Sequence, residues 1–364
     1  MNWPLTAPTP QDMRWLGVED ASAVSACRSA AATMASRLQF PSARADQLAL
    51  AVTEAASNLH KHARAGSLLL RVNRDETAPG IELVTIDAGP GLANVDAAMR
   101  DGHSTAGSLG IGLGAIRRLA DFCDLYSVPN HGTALVARFR PEPSAGSASA
   151  GSASAGPASP HFAGLTRPIT GEHECGDVYA AVQTSTLQTS TGQTSAGHTS
   201  TGEVTTAVLC DGLGHGPLAA VAAAEGVAAV LDDPAAEPAA LLERVHRRMN
   251  GTRGGAVGIV QITGPVAHYA GLGNIAACVL HHGARKSMLS VPGIAGHQAR
   301  SFRQFTYDVP PGAAVILHSD GISSRWQAAA LPGLNGRDPL LIAATLLGQA
   351  GIHRDDAGVL VLIP

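Results

Sequence analysis

The sequence predicts two successive mixed α/β domains, and three observations predict them. Within the first 140 positions, segments of helical apolar spacing precede strand-like runs whose ends carry glycine-rich loops. A five-residue repeat at 145–159, reading AGSAS, AGSAS, AGPAS, then interrupts the chain. It has no charge and no large side chain, so it cannot offset its ordering entropy and is expected to be a flexible linker. Beyond it, strand-like runs end repeatedly at an acidic residue beside a glycine. The boundaries therefore read as 1–140, a linker at 141–160, and 161–364.

Composition sets the outer limits. A chain of 364 residues with 45% hydrophobic side chains supports real cores, which excludes wholesale disorder. The 25 basic and 29 acidic residues leave a net charge of −4, and basic residues cluster no further than pairs such as Arg117-Arg118. A dedicated nucleic-acid binder is excluded on that ground. No stretch offers ~20 uninterrupted apolar residues, and positions 1–15 lack a basic region followed by an apolar one. The expectation is a cytoplasmic protein without membrane association. Cys27, Cys123, Cys175, Cys210 and Cys278 are odd in number and form no CxxC pair, which argues against a disulfide framework and against zinc.

In the first domain, helical spacing covers 21–39 and 42–62, strand-like runs cover 67–72 and 81–86, a helix is expected at 115–122, and a last strand at 134–139. Glu54 and Asn58 lie four apart and share a helix face. Glutamate is a potential proton acceptor, and asparagine offers a neutral oxygen to a hard cation such as Mg²⁺. Asp87 at a strand end could accept from an adenine amino group. Gly89 and Gly91 allow close backbone approach, while Gly110, Gly112 and Gly114 leave amides free at a helix start, where phosphates bind.

The carrying segments are TEAASNLHKHA at 53–63, DAGPG at 87–91, DGHSTAGSLGIGLGAIRRLAD at 101–121, and Gly132-Thr133. This ordered set resembles the N, G1 and G2 boxes of the GHKL ATPases, and more closely the RsbT-type serine kinases of stress-response partner switching. The resemblance implies a GHKL-type α/β sandwich that binds ATP without a P-loop lysine, in a chain with only Lys61 and Lys286. It assigns Asn58 to Mg²⁺, Asp87 to adenine, and Glu54 to the general base for the substrate hydroxyl. Gly89, Gly91, Gly110, Gly112, Gly114 and Thr133 complete the nucleotide site. His60 and His62 receive no role.

In the second domain, acids stand beside glycine in ECGD at 174–177, CDGLGHG at 210–216, HSDG at 318–321 and RDDAG at 354–358. Hard oxygen ligands without clustered histidine or cysteine point to Mg²⁺ or Mn²⁺ rather than Zn²⁺. Strands are expected at 177–182, 204–210, 314–317 and 359–363, with helices at 216–230, 239–249 and within 332–351. The threonine-rich stretch 183–202 reads as an expanded turn between two paired strands, because strand-like runs flank it.

These motifs, with YAGLGNIAA at 269–277, resemble the PP2C-like phosphatases of the SpoIIE group, particularly the RsbX type. The implied fold is an αββα sandwich, and the implied centre holds two Mn²⁺ or Mg²⁺ ions that activate a bridging water. Asp177, Asp211, Asp320 and Asp355 would be ligands beside the Gly212 carbonyl, with Asp356 a secondary candidate and His215 a structural cap. Together the resemblances imply a kinase and a phosphatase acting on STAS-domain antagonist or scaffold proteins, with a downstream phosphatase or sigma-factor regulator as a further partner. A nucleotide-dependent sequestering module of the anti-sigma type, with only the phosphatase active, is the alternative.

Overall fold

The protein is described here by a computed structural model that covers residues 5–74, 79–99, 112–142, 161–189 and 199–364. The described residues of Pro8–Pro160 group with Arg337–Gln349 into one compact unit. The second unit gathers the described residues of Met1–Ala7 with His161–Gly336 and Ala350–Pro364. Two short pieces thus leave the domain that their position in the chain suggests. β1 (Leu5–Thr6) is the first of them, and it pairs antiparallel with a strand of the second unit. Among the described residues, no helix is long and apolar enough to cross a membrane.

The first unit is a sheet with helices on one face. Its elements are β2 (Met13–Gly17), α1 (Ala21–Arg37), α2 (Ser42–His62), β3 (Ser67–Arg74), β4 (Pro79–Asp87), α3 (Val95–Ala98), α4 (Leu113–Leu119), β5 (Phe122–Ser127) and β6 (Thr133–Phe139). The strand order is β2-β3-β4-β6-β5, with every neighbour antiparallel. Asp20 caps α1 by accepting from the amides of Ser22 and Ala23. Leu48, Val52, Ala55, Ala56 and Leu59 of α2 meet Leu68, Leu70, Val72, Ile81 and Leu83 in one buried core. The expected helix at 115–122 is shorter. It ends at Leu119, and Phe122 opens a strand whose alternating Phe-Cys-Asp-Leu-Tyr-Ser pairs with β6.

The opposite face of this sheet carries buried charge. Cross-strand register places Arg71, Glu82 and Arg138 side by side on β3, β4 and β6. Arg71 Nε donates to Glu82 at 2.6 Å and Arg138 Nε donates to it at 2.8 Å. Burial pushes the Glu82 carboxyl up, but the two guanidiniums outweigh it and hold it below the usual glutamate range. Arg138 also donates both terminal nitrogens to Asp338, at 2.8 and 2.9 Å. Asp338 in turn accepts from the amide of Leu340 at the start of the last helix, Pro339–Ala350. Leu340 to Leu347 of that helix are all buried, so it is apolar all round and must be covered on every side. Asp338→Ala removes a bidentate partner and leaves a cation half-compensated in a buried place, so it is expected to destabilise this unit by about 3 kcal/mol. The shift in unfolding midpoint of the full chain measures it, and a change within experimental error would contradict the network.

The second unit packs two sheets face to face. Continuing the chain, β7 is Phe162–Arg167, β8 Asp177–Thr189, β9 Thr199–Gly212, α5 Pro217–Leu231, α6 Pro238–Arg248, β10 Gly255–Thr263, β11 Val266–Leu272, β12 Ala276–His281 and β13 Ala284–Met288. β14 (Ser290–Val291), β15 (Phe305–Asp308), β16 (Ala314–His318) and β17 (Ala357–Leu362) complete it, while the helix Pro339–Ala350, α7, falls in chain order between β16 and β17 but groups with the first unit. One sheet runs β1-β8-β9-β10-β11-β14, with β15 beside β11; the other runs β13-β12-β16-β17-β7. Tyr179, Leu209, Val260, Tyr269, Val315 and Leu360 fill the layer between them. α5 and α6 cover the outer face of the first sheet through Ala222, Val227, Leu241, Leu242 and Val245. The threonine-rich stretch is not all turn: β8 and β9 extend into it and stay in register out to Thr189 opposite Thr199. Threonine is β-branched and alternates there, which favours extending the ladder over looping out.

Candidate active sites

The nucleotide-type site forms where β4, β6 and α2 end. Glu54 and Asn58 lie one turn apart on α2, both half-buried. Burial raises the Glu54 carboxyl above its ordinary value, against a smaller opposing pull from Lys61. The amide nitrogen of Asn58 is buried and without a hydrogen-bond partner. An orphaned amide at this place fits a group that binds there, since a buried polar atom is ordinarily satisfied; its oxygen and nitrogen are interchangeable by a flip.

Asp87 is the last residue of β4, opposite Thr133 on β6. Burial raises its carboxyl, while the amides of Gly89 and Thr133 pull it back. Its Oδ1 accepts from Gly89 at 2.6 Å. Gly132 has φ 80°, and a Cβ there would strike the Asp87 carbonyl, so only glycine permits the turn. Gly91 shares that left-handed conformation, at φ 67°. Gly112 caps α4, Gly114 is buried within it, and Gly110 lies outside the described residues.

One residue that motif reading passes over joins these loops. The Ser127 hydroxyl accepts from the Leu92 amide at 2.8 Å, donates to the Gly132 carbonyl at 2.9 Å and sits 3.0 Å from the Thr133 hydroxyl. Asp121, the last residue of the long glycine segment, is structural: it takes Arg44 at 2.5 Å and the Arg140 amide at 2.7 Å. A small cavity behind Asp87, Gly132 and Thr133 is closed by Thr345 and Gly348 of α7, within the same unit.

The acidic site lies at the other sheet pair. Asp177 and Asp211 face each other across β8 and β9, while Asp320 follows β16 and Asp355 precedes β17. Asp177 is fully buried: Oδ2 accepts from Ser319 Oγ at 2.6 Å, and Oδ1 has no partner. Burial and the Asp211 charge raise its carboxyl well above the usual range. Burial, then Asp320 and Asp355, push Asp211 up to about 8. Asp355 is raised by burial and by Asp320. Asp356 differs from the rest. Its two oxygens accept the amides of Ile169 at 2.7 Å and Gly176 at 2.8 Å, so it pins a loop and has little left for an ion.

The carboxylates share an electrostatic neighbourhood, and Asp320 lies within hydrogen-bond distance of Asp211. Among the described residues, no three His, Cys, Asp or Glu side chains stand close enough to hold an ion together. Neutral neighbours hold two of these carboxylates in place. Asn274 Nδ2 donates to Asp320 at 2.5 Å, as Ser319 does to Asp177. Both neighbours sit inside quoted motifs, YAGLGNIAA and HSDG, which is the signal that could have found them. The donor set, all hard oxygen with one orphaned buried carboxylate atom, fits a divalent cation such as Mg²⁺ or Mn²⁺. Gly212 fits closely, since a Cβ would strike the Ala219 carbonyl of α5. His215 does not cap: it lies exposed, its Nδ1 3.2 Å from Glu172.

Comparison with known proteins identifies the families that the chain resembles. The family model of the histidine kinase-like ATPase domain matches residues 18–139. The serine/threonine-protein kinase RsbT of Bacillus subtilis (strain 168) is 32% identical over 112 residues, 31% of this chain and 84% of the relative. The chain belongs to the RsbT family. The family model of stage II sporulation protein E, SpoIIE, matches residues 201–361, so this RsbT-family chain joins a kinase-like ATPase domain to a SpoIIE domain. Among solved structures, RsbX in complex with magnesium is 17% identical, with 56% of this chain and 94% of that one covered at a TM-score of 0.42. The catalytic domain of the phosphatase PstP with two manganese ions is 16% identical, with 56% and 98% covered at 0.36.

Proposed function

We propose that this chain is a bifunctional partner-switching regulator: an ATP-dependent protein serine/threonine kinase and a metal-dependent phosphoprotein phosphatase acting on the same STAS-domain protein. The observation that carries the reading is the union in one chain of an RsbT-family ATPase domain and a SpoIIE domain. In the first, Asn58 would hold Mg²⁺ of the nucleotide, Asp87 the adenine amino group, and Gly89, Gly91, Gly110, Gly112, Gly114 and Thr133 the remainder. Glu54 accepts the proton of the substrate hydroxyl, and its burial-raised carboxyl suits a base that must also release that proton. In the second, Asp177, Asp211, Asp320 and Asp355 would hold two Mn²⁺ or Mg²⁺ ions beside the Gly212 carbonyl. Bound there, the ions would supply an activated water and stabilise the charge on the phosphoryl oxygens. Ser319 orients Asp177, and Asn274 orients Asp320.

The test is incubation of the full chain with a STAS-domain protein, ATP and Mg²⁺, followed by intact mass. Addition of one phosphoryl group while ATP lasts, then its loss once ATP is exhausted and Mn²⁺ is in excess, is the expected course. ATP binding without transfer would leave the sequestering reading, and a phosphoprotein that persists with Mn²⁺ would remove the phosphatase half.

A further inference from the structure

Helix α5 turns an apolar face outward beside the acidic cluster. A helix packed on a sheet ordinarily keeps its outer face polar. Here Leu218 is 60% and Val221 55% exposed, three residues apart and so on one face, while Leu213, at 53%, stands in the short loop from Asp211 to the helix. The inner face is complete without them: Ala219, Ala222, Ala223 and Val227 are all buried. Among the described residues, four large apolar side chains are more than half exposed, and these three of them lie in the loop and the first turns of helix that directly follow Asp211. The guanidinium of Arg253 lies against Gly214 in the same loop, adding a cation to the rim. Such a patch beside a reactive centre marks a binding surface rather than ordinary surface composition.

We propose that Leu213, Leu218 and Val221 dock the phosphatase substrate, which is a folded protein presenting apolar side chains next to its phosphorylated serine or threonine. This rests on the phosphatase reading above and names what that site selects. The occupant follows from continuity with the carboxylates: a substrate whose phosphate reaches Asp211 lies over the loop and first turn that begin two residues later. A small phosphate ester has nothing to place on this patch, and a strongly basic peptide gains nothing from burying it. A few central apolar contacts carry most of the affinity in such an interface.

The test compares wild type with Leu218→Asp and Val221→Asp in the full chain on two substrates, a serine-phosphorylated STAS-domain protein and p-nitrophenyl phosphate. The expected result is a KM for the phosphoprotein raised about tenfold or more, the loss of a central interface contact. Release from p-nitrophenyl phosphate stays at the wild-type rate, which also shows that the variants fold. Equal loss on both substrates, or unchanged KM for the phosphoprotein, overturns the docking surface. A wild-type dimer in sedimentation that either variant dissolves, with phosphoprotein KM unchanged, assigns the patch to a second copy instead. Wild type that hydrolyses p-nitrophenyl phosphate but not the phosphoprotein overturns this inference while the metal centre stands, whereas hydrolysis of neither overturns both.

Discussion

Asp211→Asn is expected to abolish phosphate release from a phosphoprotein in Mn²⁺ or Mg²⁺ while leaving phosphoryl transfer by the first domain intact. Asp211 stands opposite Asp177 in the ladder and feels Asp320 and Asp355 as well, so it is the carboxylate most central to the group. Under the proposed two-ion reading, removing the carboxylate that would serve both cations would expose them to each other and forfeit the activated water, so the effect should approach complete inactivation. The same change has a second readout that does not need turnover. In the presence of EDTA the carboxylates repel one another, so the variant should melt above the wild type, by about 2–4 °C for each kcal/mol relieved. Adding Mn²⁺ should then raise the melting temperature of the wild type and leave that of the variant unchanged. Phosphate release that survives in the variant, or in wild type with excess EDTA, would overturn the two-ion assignment.

Glu54→Gln should lower phosphoryl transfer to the STAS-domain protein by ~10²–10⁴-fold, the usual cost of losing a general base. ATP affinity should remain, because the amide keeps the size and polarity of the side chain. Asn58→Ala, one turn along the same face, should instead weaken Mg·ATP binding. The pH dependence separates the two roles. Burial raises the Glu54 carboxyl, and only the ionised form accepts a proton, so transfer should climb as pH rises through that raised value and fall below it. The wild-type rate is therefore expected to drop at a pH above that of an ordinary glutamate, and the Gln variant should lose the limb altogether. Titrating the single-turnover rate against pH gives the answer, and identical profiles for both proteins would remove Glu54 from the proton transfer.

Local pattern was enough for the parts of this protein that repeat along the chain. The apolar spacing from 42 to 62 marks α2 to its ends, Ser42 and His62, and the same period sets Glu54 and Asn58 on one face. The strand-like runs before Asp87, Asp211 and Asp320 place each acid at or just past a strand end, because side-chain alternation is itself a record of a half-buried sheet. What the sequence could not decide is which distant groups complete each site. Arg71, Glu82 and Arg138 read as isolated charges inside apolar runs, and only the antiparallel register lines them up across one face. The residue that balances Arg138 is Asp338, 200 positions away, and no local period connects them. Ser127 and Asn274 gain their meaning the same way, from hydrogen bonds to loops that the fold brings near. Leu5–Thr6, too short to register as a strand, becomes one because β8 offers an edge to pair with. The sequence by itself determined the elements and the chemistry available at their ends, since those follow from short-range sterics and hydrophobic period. The tertiary structure alone decided which charges are neutralised, which carboxylates repel, and which apolar faces stay bare, since these depend on pairings whose partners lie far apart in the chain.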